Sequence, residues 1–211
     1  MIGGSAFWAA YALVYDRIWD APVTARIAAA VVEAIGDARS VLDLGAGTGL
    51  IAHAVTASGR TVVAVDPSVA MLRRAIGRDA AHRYIASTRP ARDLRTDAAI
   101  LVNVLHASRA PSDVLSVAVA ATSGRIIVVW PHDDVRLRDL ARWDREGGAS
   151  RRAVAASLLL RIAVGLPGSL LGIRRTTDAA LGELVTHAAE ARGHPAEFVD
   201  IPSTGCVLVT M

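Results

Sequence analysis

Along roughly the first 131 residues, short and almost wholly apolar runs alternate with longer stretches whose apolar positions recur at helical spacing. The runs are VLDLG (41–45), TVVAV (61–65), HRYIA (82–86), AAILVN (98–103) and GRIIVVW (124–130). Continuous apolarity over so few residues predicts strands buried on both faces, as in a parallel sheet. Between them, helical periodicity covers about 50–57, a stretch capped by Ser68 and ending near Ile76, and 111–121. Two helices precede the first strand, over 6–19 and 23–35, with Pro22 at a natural helix start. After residue 131 the rhythm changes. Residues 134–173 carry helical patterns with no strand between them, and Gly165, Pro167 and Gly168 divide the second half into two short helices. Thr177 caps a further helix ending at Gly193. AEFVDI (196–201), the turn PSTG and CVLVTM (206–211) then form a hairpin-like pair. Alternating strands and helices predict an α/β, doubly wound, mostly parallel seven-stranded sheet with an antiparallel last strand. The chain is read as one domain over 1–211, with N-terminal helices (1–38) and a helical insertion between strands five and six (134–175).

Composition narrows this little. The 211 residues are 53% hydrophobic, with a mean hydropathy of +0.38, enough for a full core without disulfides. The longest apolar stretch, 153–173, is interrupted by Arg161 and Pro167, so no stable membrane insertion is expected. The start of the chain lacks a basic leader, and a cytoplasmic location is the simplest expectation. Cys206 is the single cysteine, which excludes an internal disulfide and a cysteine-based zinc site. All 23 basic residues are arginine, occurring singly or in pairs with no interleaved aromatics. That pattern does not make a nucleic-acid footprint.

The densest signal is Val41-Leu42-Asp43-Leu44-Gly45-Ala46-Gly47-Thr48-Gly49-Leu50. Glycines between a first strand and a helix let backbone approach a ligand closely, at the carboxyl edge of the sheet. A dinucleotide site needs a third glycine where Leu50 stands, and Asp43 would oppose a pyrophosphate. A ligand with a cationic ammonium and sulfonium, such as S-adenosylmethionine (SAM), suits an acidic strand tip. Asp66, at the end of the second strand, is placed to accept hydrogen bonds from both ribose hydroxyls.

With these residues in view, VLDLGAGTGL followed by VVAVDPSVAMLRRA resembles motifs I and II of the class I SAM-dependent methyltransferases, a Rossmann-like fold. Within that family the chain resembles the ubiquinone/menaquinone-type small-molecule enzymes. YDRIW (15–19), TDAAILVNVLHA (96–107), GRIIVVWPHD (124–133) and the 176–193 helix with its strand pair are similar to further family segments; only about 135–175 falls outside. The resemblance implies that Gly45, Ala46 and Gly47 line the methionine part of SAM, with Asp43 on its amino group and Asp66 on the ribose. Pro67 and Met71 would flank the adenine, and Asn103 and Val104 would close the pocket. Where the family often has an acidic residue for the adenine amino group, this chain has Ala86-Ser87-Thr88, leaving Ser87 as substitute.

Methyl transfer from a sulfonium is an in-line displacement, and a base is needed only for a protonated acceptor. His106 and His132 lie at the ligand edge and are the catalytic candidates; a turn histidine and a solvated loop are their structural alternatives. Tyr15 is a candidate lid residue, and Leu159 and Leu170 candidate acceptor contacts within an acceptor-side cover at 151–175. The same segment could instead complete the core or mediate a homodimer. The remaining histidines have no metal-ligand spacing. The expected function is methyl transfer to a small, apolar or phenolic, natural-product or quinone-like molecule. The alternative is a SAM-fold protein using the cofactor without methyl transfer, as a pericyclase, isomerase or partner subunit.

Overall fold

A computed structural model describes residues 5–170 and 176–211, and the side chains of 7–163 and 176–211. The chain opens with α1 (Ser5–Ala12), α2 (Tyr15–Trp19) and α3 (Pro22–Ile35), followed by β1 (Ser40–Leu44) and α4 (Leu50–Ala57). Next come β2 (Thr61–Val65), α5 (Val69–Gly77), β3 (Arg83–Ile85) and β4 (Thr96–Val102). A 3-10 turn at Leu105–Ala107 leads to α6 (Pro111–Ala121) and β5 (Thr122–Pro131). The insertion consists of α7 (Leu137–Glu146) and α8 (Arg151–Leu170). The chain ends with α9 (Asp178–Ala191), β6 (Glu197–Ile201) and β7 (Cys206–Thr210).

The seven strands form one sheet in the order β3-β2-β1-β4-β5-β7-β6. Strands β1 to β5 pair in parallel, and β7 enters antiparallel between β5 and β6. Successive side chains point to opposite faces of a strand, so each parallel strand feeds two cores. Val41, Val62, Ala64, Ala98, Ile100, Ile127 and Val129 pack under α3, α4 and α5. Leu42, Val63, Val65, Ala99, Leu101, Ile126 and Val128 pack under α6 and α9. That double burial is why these strands read as continuous apolar runs. Chain reversal at β1 leaves β2 on one side and β4 on the other, opening the crevice where such sheets bind ligands.

Two local expectations are corrected. The first helical stretch is broken at Leu13–Val14 into α1 and α2, so it is two elements rather than one. The insertion's second half is one helix to Leu170, not two short ones. A single proline removes one backbone hydrogen bond at a cost of about 3 kcal/mol, and here Pro167 does not end the helix. The capping expectations hold: the Ser68 hydroxyl accepts from Met71 N, and the Thr177 hydroxyl from Ala180 N.

Candidate active site

The loop after β1 is built from three left-handed glycines, Gly45 (φ +84°), Gly47 (+57°) and Gly49 (+79°). It is pinned to the next strand, since Gly45 N and Ala46 N both donate to Val65 O, at 2.7 and 3.2 Å. A Cβ on Gly45 would overlap the Val104 side chain, so position 45 is closed to larger residues by both conformation and space. Asp66 braces the same loop. Its Oδ2 accepts from Gly47 N at 3.0 Å and its Oδ1 from Ser68 N at 2.7 Å. Each oxygen keeps a lone pair for a further donor.

Asp43 lies beneath the loop, 3% exposed. Its Oδ2 is buried with no partner. Burial, with Asp66 adding repulsion, pushes its carboxyl up to about 7. Asp66 is also raised by burial, against the lowering effect of the Ser68 and Gly47 amides. On α2, burial, Tyr11 and the charges of Asp66, Asp16 and Asp43 raise the pKa of the Tyr15 hydroxyl. A cationic group arriving here would meet an orphaned buried oxygen and relieve the repulsion between two acids. The residues therefore fit an ammonium- and ribose-bearing cofactor.

The other predicted cofactor residues fall at the same sheet edge with different degrees of engagement. Asn103 adopts φ +57° just beyond β4, and its Oδ1 is buried without a partner. Left-handed backbone is tolerated by asparagine better than by most residues. Val104 packs on Gly45. Met71 is buried in the first turn of α5, and Pro67 is half-buried beside Asp66. The Ser87 hydroxyl already accepts from Arg89 N at 3.1 Å in its own turn. Its proton and its second lone pair remain to offer a ligand. Thr48 was not singled out by pattern, yet its hydroxyl is buried and unpartnered within the glycine loop. A threonine between loop glycines carries no periodic signal, so burial alone reveals it.

The two histidines separate. His106 occupies the 3-10 turn after β4, and its carbonyl accepts from Thr176 N at 3.3 Å. His132 follows β5, and both of its ring nitrogens are engaged. Its Nδ1 meets Asp178 Oδ2 at 2.7 Å and its Nε2 meets Asp200 Oδ1 at 3.0 Å. Burial lowers its pKa, but the two carboxylates outweigh this and raise it. Asp178 also accepts from Trp130 Nε1 at 2.6 Å. An imidazolium held by two carboxylates has no lone pair with which to accept a proton. Among the described residues no histidine, cysteine or carboxylate group of three is arranged to hold a metal.

The acceptor-side candidates also divide. On α8, Val154 and Arg161 are buried and Ser157 is half-buried, a spacing that defines its inner stripe. Leu159 lies on the other side of the helix, 69% exposed, and does not line the site. The side chain of Leu170 and residues 171–175 lie outside the described residues. The inner stripe contacts α2: Ser157 Oγ and Arg161 Nη2 both donate to Ile18 O. The insertion thus packs on the helix that carries Tyr15. A cleft of about 730 Å³ lies elsewhere, between the end of α3 and β6–β7, lined in part by Gly124, Glu197 and Val199. None of the orphaned buried polar atoms among the described residues belongs to it, so the chemistry points to the glycine loop.

Comparisons with known proteins cover the same part of the chain. Residues 42–123, from within β1 to the start of β5, match the methyltransferase domain family. An uncharacterized methyltransferase of Mycobacterium tuberculosis strain H37Rv is 38% identical over 117 residues, 53% of this chain and 46% of that protein. The chain thus spans about half the length of the curated relatives it matches. Among solved structures, the plantazolicin methyltransferase BpumL with bound S-adenosylhomocysteine (SAH) superposes with a TM-score of 0.62 at 13% identity, covering 98% of this chain and 93% of that one. TnmH gives 0.58 at 25% identity, covering 98% and 57%. Magnesium protoporphyrin IX methyltransferase from Synechocystis PCC 6803, with bound SAM, gives 0.57 at 12% identity, covering 89% and 79%. Residues 42–123 are thus similar to the methyltransferase domain family, and they carry the glycine loop above Asp43 and Asp66 on a fold shared with solved SAM-dependent methyltransferases.

Proposed function

We propose that the protein transfers a methyl group from SAM to a small, apolar or phenolic acceptor. The observation that carries this reading is the buried pair Asp43 and Asp66 beneath a glycine loop, with one Asp43 oxygen unpartnered. Asp43 would hold the cofactor's ammonium, Asp66 its ribose hydroxyls, and Gly45, Ala46 and Gly47 the backbone path between them. Asn103 and Thr48 offer further polar atoms from the same edge. When bound, SAM supplies an electrophilic methyl on a sulfonium. The protein's task is to orient the acceptor in line and exclude water. Tyr15 on α2 is the covering residue, backed by α8. For a hydroxyl acceptor His106 is the base candidate, since both ring nitrogens of His132 are engaged by carboxylates.

Calorimetry tests the cofactor reading. SAM and SAH should bind at roughly micromolar affinity, about 8 kcal/mol, and more tightly than NAD. Tighter NAD binding would overturn it. Mass analysis of acceptors incubated with methyl-labelled SAM tests transfer; a converted acceptor without label would favour cofactor use without methylation. With an acceptor in hand, His106→Ala should lower turnover by roughly 100-fold while leaving SAM affinity unchanged. An unchanged rate would leave positioning alone as the source of catalysis.

A further inference from the structure

Arg161 interrupts the apolar run of α8 and turns inward, its side chain 5% exposed. Its Nη2 donates to Ile18 O at 3.0 Å and to Asp144 Oδ2 at 3.3 Å. The guanidinium lies 4.8 Å over the Trp19 ring. Its Nε and Nη1 are buried and have no partner among the described residues. Most of the group's N–H donors therefore point into protein with no acceptor among the described residues. Buried polar groups are nearly always paired, so an exception asks for an explanation. Asp144 meets one nitrogen only, and burial disfavours the charge of Arg161 more than Asp144 favours it.

The surroundings say what could accept those donors. Five of the chain's nine aromatic residues lie between Phe7 and Trp19, concentrating flat apolar surface on α1 and α2. Tyr11, Tyr15 and Trp19 form a chain of ring contacts, with centroids 5.1 and 6.4 Å apart. Trp19 Nε1 donates to the Tyr11 hydroxyl at 2.6 Å. Tyr15 sits four residues before Trp19, about 6 Å along the axis, and is within range of the charges of Asp66 and Asp43. Along α2, then, a negative pair lies at one end and an under-used cation at the other, with aromatic rings between.

We propose that Arg161 recognises the acceptor, and that the acceptor is a flat aromatic compound carrying a carboxylate. The ring lies against Tyr11 and Trp19, and the carboxylate accepts a charge-assisted hydrogen bond from Nη1, stronger than a neutral one. Repulsion from Asp43 and Asp66 and attraction to Arg161 act in the same direction, fixing which end of the molecule approaches the methyl donor. The donors lie at the seam of α2, α7 and α8, so entry requires these helices to part. The proposal rests on the methyl-transfer reading and deepens it.

The test uses the full chain saturated with SAH, titrated calorimetrically with 2-naphthoate and with its neutral counterpart 2-naphthamide. The acid should bind at least tenfold more tightly than the amide, and Arg161→Gln should abolish the preference. Removing one member of a buried ion pair can unfold a protein. The companion variant therefore replaces both charges, Arg161→Met with Asp144→Leu, and its fold is checked by thermal melting. Loss of the acid preference in the folded double variant, with SAH affinity within twofold of wild type, supports the proposal. Equal binding of the two probes by wild type, or an acid preference surviving in the double variant, overturns it. A tenfold or larger fall in SAH affinity in the double variant would instead place the cofactor's own carboxylate on Arg161 and overturn the acceptor assignment. If wild type binds no SAH, the methyltransferase reading fails by itself. The same two probes titrated against the chain alone then decide Arg161 separately.

Discussion

At the scale of single residues, the candidate site is governed by two acids that burial holds away from their ordinary ionisation. The Asp43 carboxyl is pushed from an ordinary 3.8 up to about 7. A raised folded value means the protonated acid favours the native state. That contribution is fully present below the unfolded value and is lost as pH rises through about 7. The free protein should therefore lose stability relative to Asp43→Asn between about pH 4 and 7, read as a converging or inverting difference in Tm. SAM binding carries the opposite sign. A cationic ligand needs the carboxylate, so affinity should climb as pH passes through about 7 in wild type and stay flat in Asp43→Asn. A flat wild-type profile would remove Asp43 from the ammonium site. Asp66→Ala should weaken SAM binding by about 1.5–3 kcal/mol, the usual worth of a hydrogen bond to a charged group. Both acids were legible in the sequence because each lies within one residue of the end of an apolar strand, beside a turn. Thr48 and Arg161 were not. Their importance lies in which side of a helix or loop is covered by distant segments, and no local spacing encodes that.

At the scale of elements, strand identity was legible because double burial writes itself as unbroken apolar runs. Helix boundaries were less so: nothing in YALVYD announces a break at Leu13–Val14, and Pro167 suggests one that does not occur. The partners of His132 are not legible in the sequence for a related reason. Chain order puts it after β5 at the ligand edge, but the antiparallel insertion of β7 brings β6 and α9 to the same place. Asp178 at the start of α9 and Asp200 in β6 close on the ring from two elements distant in sequence. The cluster is a fastening between β5, α9 and β6. The raised His132 pKa sets its pH dependence. Its stabilisation is fully present below the unfolded value of 6.5 and disappears as pH rises through the higher folded value. Thermal melts of wild type and His132→Gln should thus differ most near about pH 6 and converge in alkaline solution. Turnover on any identified acceptor should be little changed in His132→Gln. A folded variant slowed by roughly 100-fold would restore His132 as the base.

At the scale of the whole molecule, the two-sided core and the cover over the site are held by different means. Strands β1, β4 and β5 are buried between helical layers on both faces. The cover is fastened more sparsely. Contacts described between α8 and α2 centre on Ile18 and Trp19, reached from Ser157 and Arg161, and α1 leans on α5. Regions with few apolar contacts open locally at lower free energy than the core. Amide hydrogen exchange should therefore rank β1, β4 and β5 as the slowest segments and α1, α2, α7 and α8 among the fastest. A ligand seated between the glycine loop and Tyr15 stabilises only the conformations in which both are formed. Adding SAH should thus slow exchange in residues 43–50, 65–71 and 15–19 together, while 197–210, fastened separately through His132 and the β6–β7 pair, stays as it was. Protection confined to the glycine loop would detach α2 from the cofactor site. Protection of 197–210 alone would move the site to the other edge of the sheet.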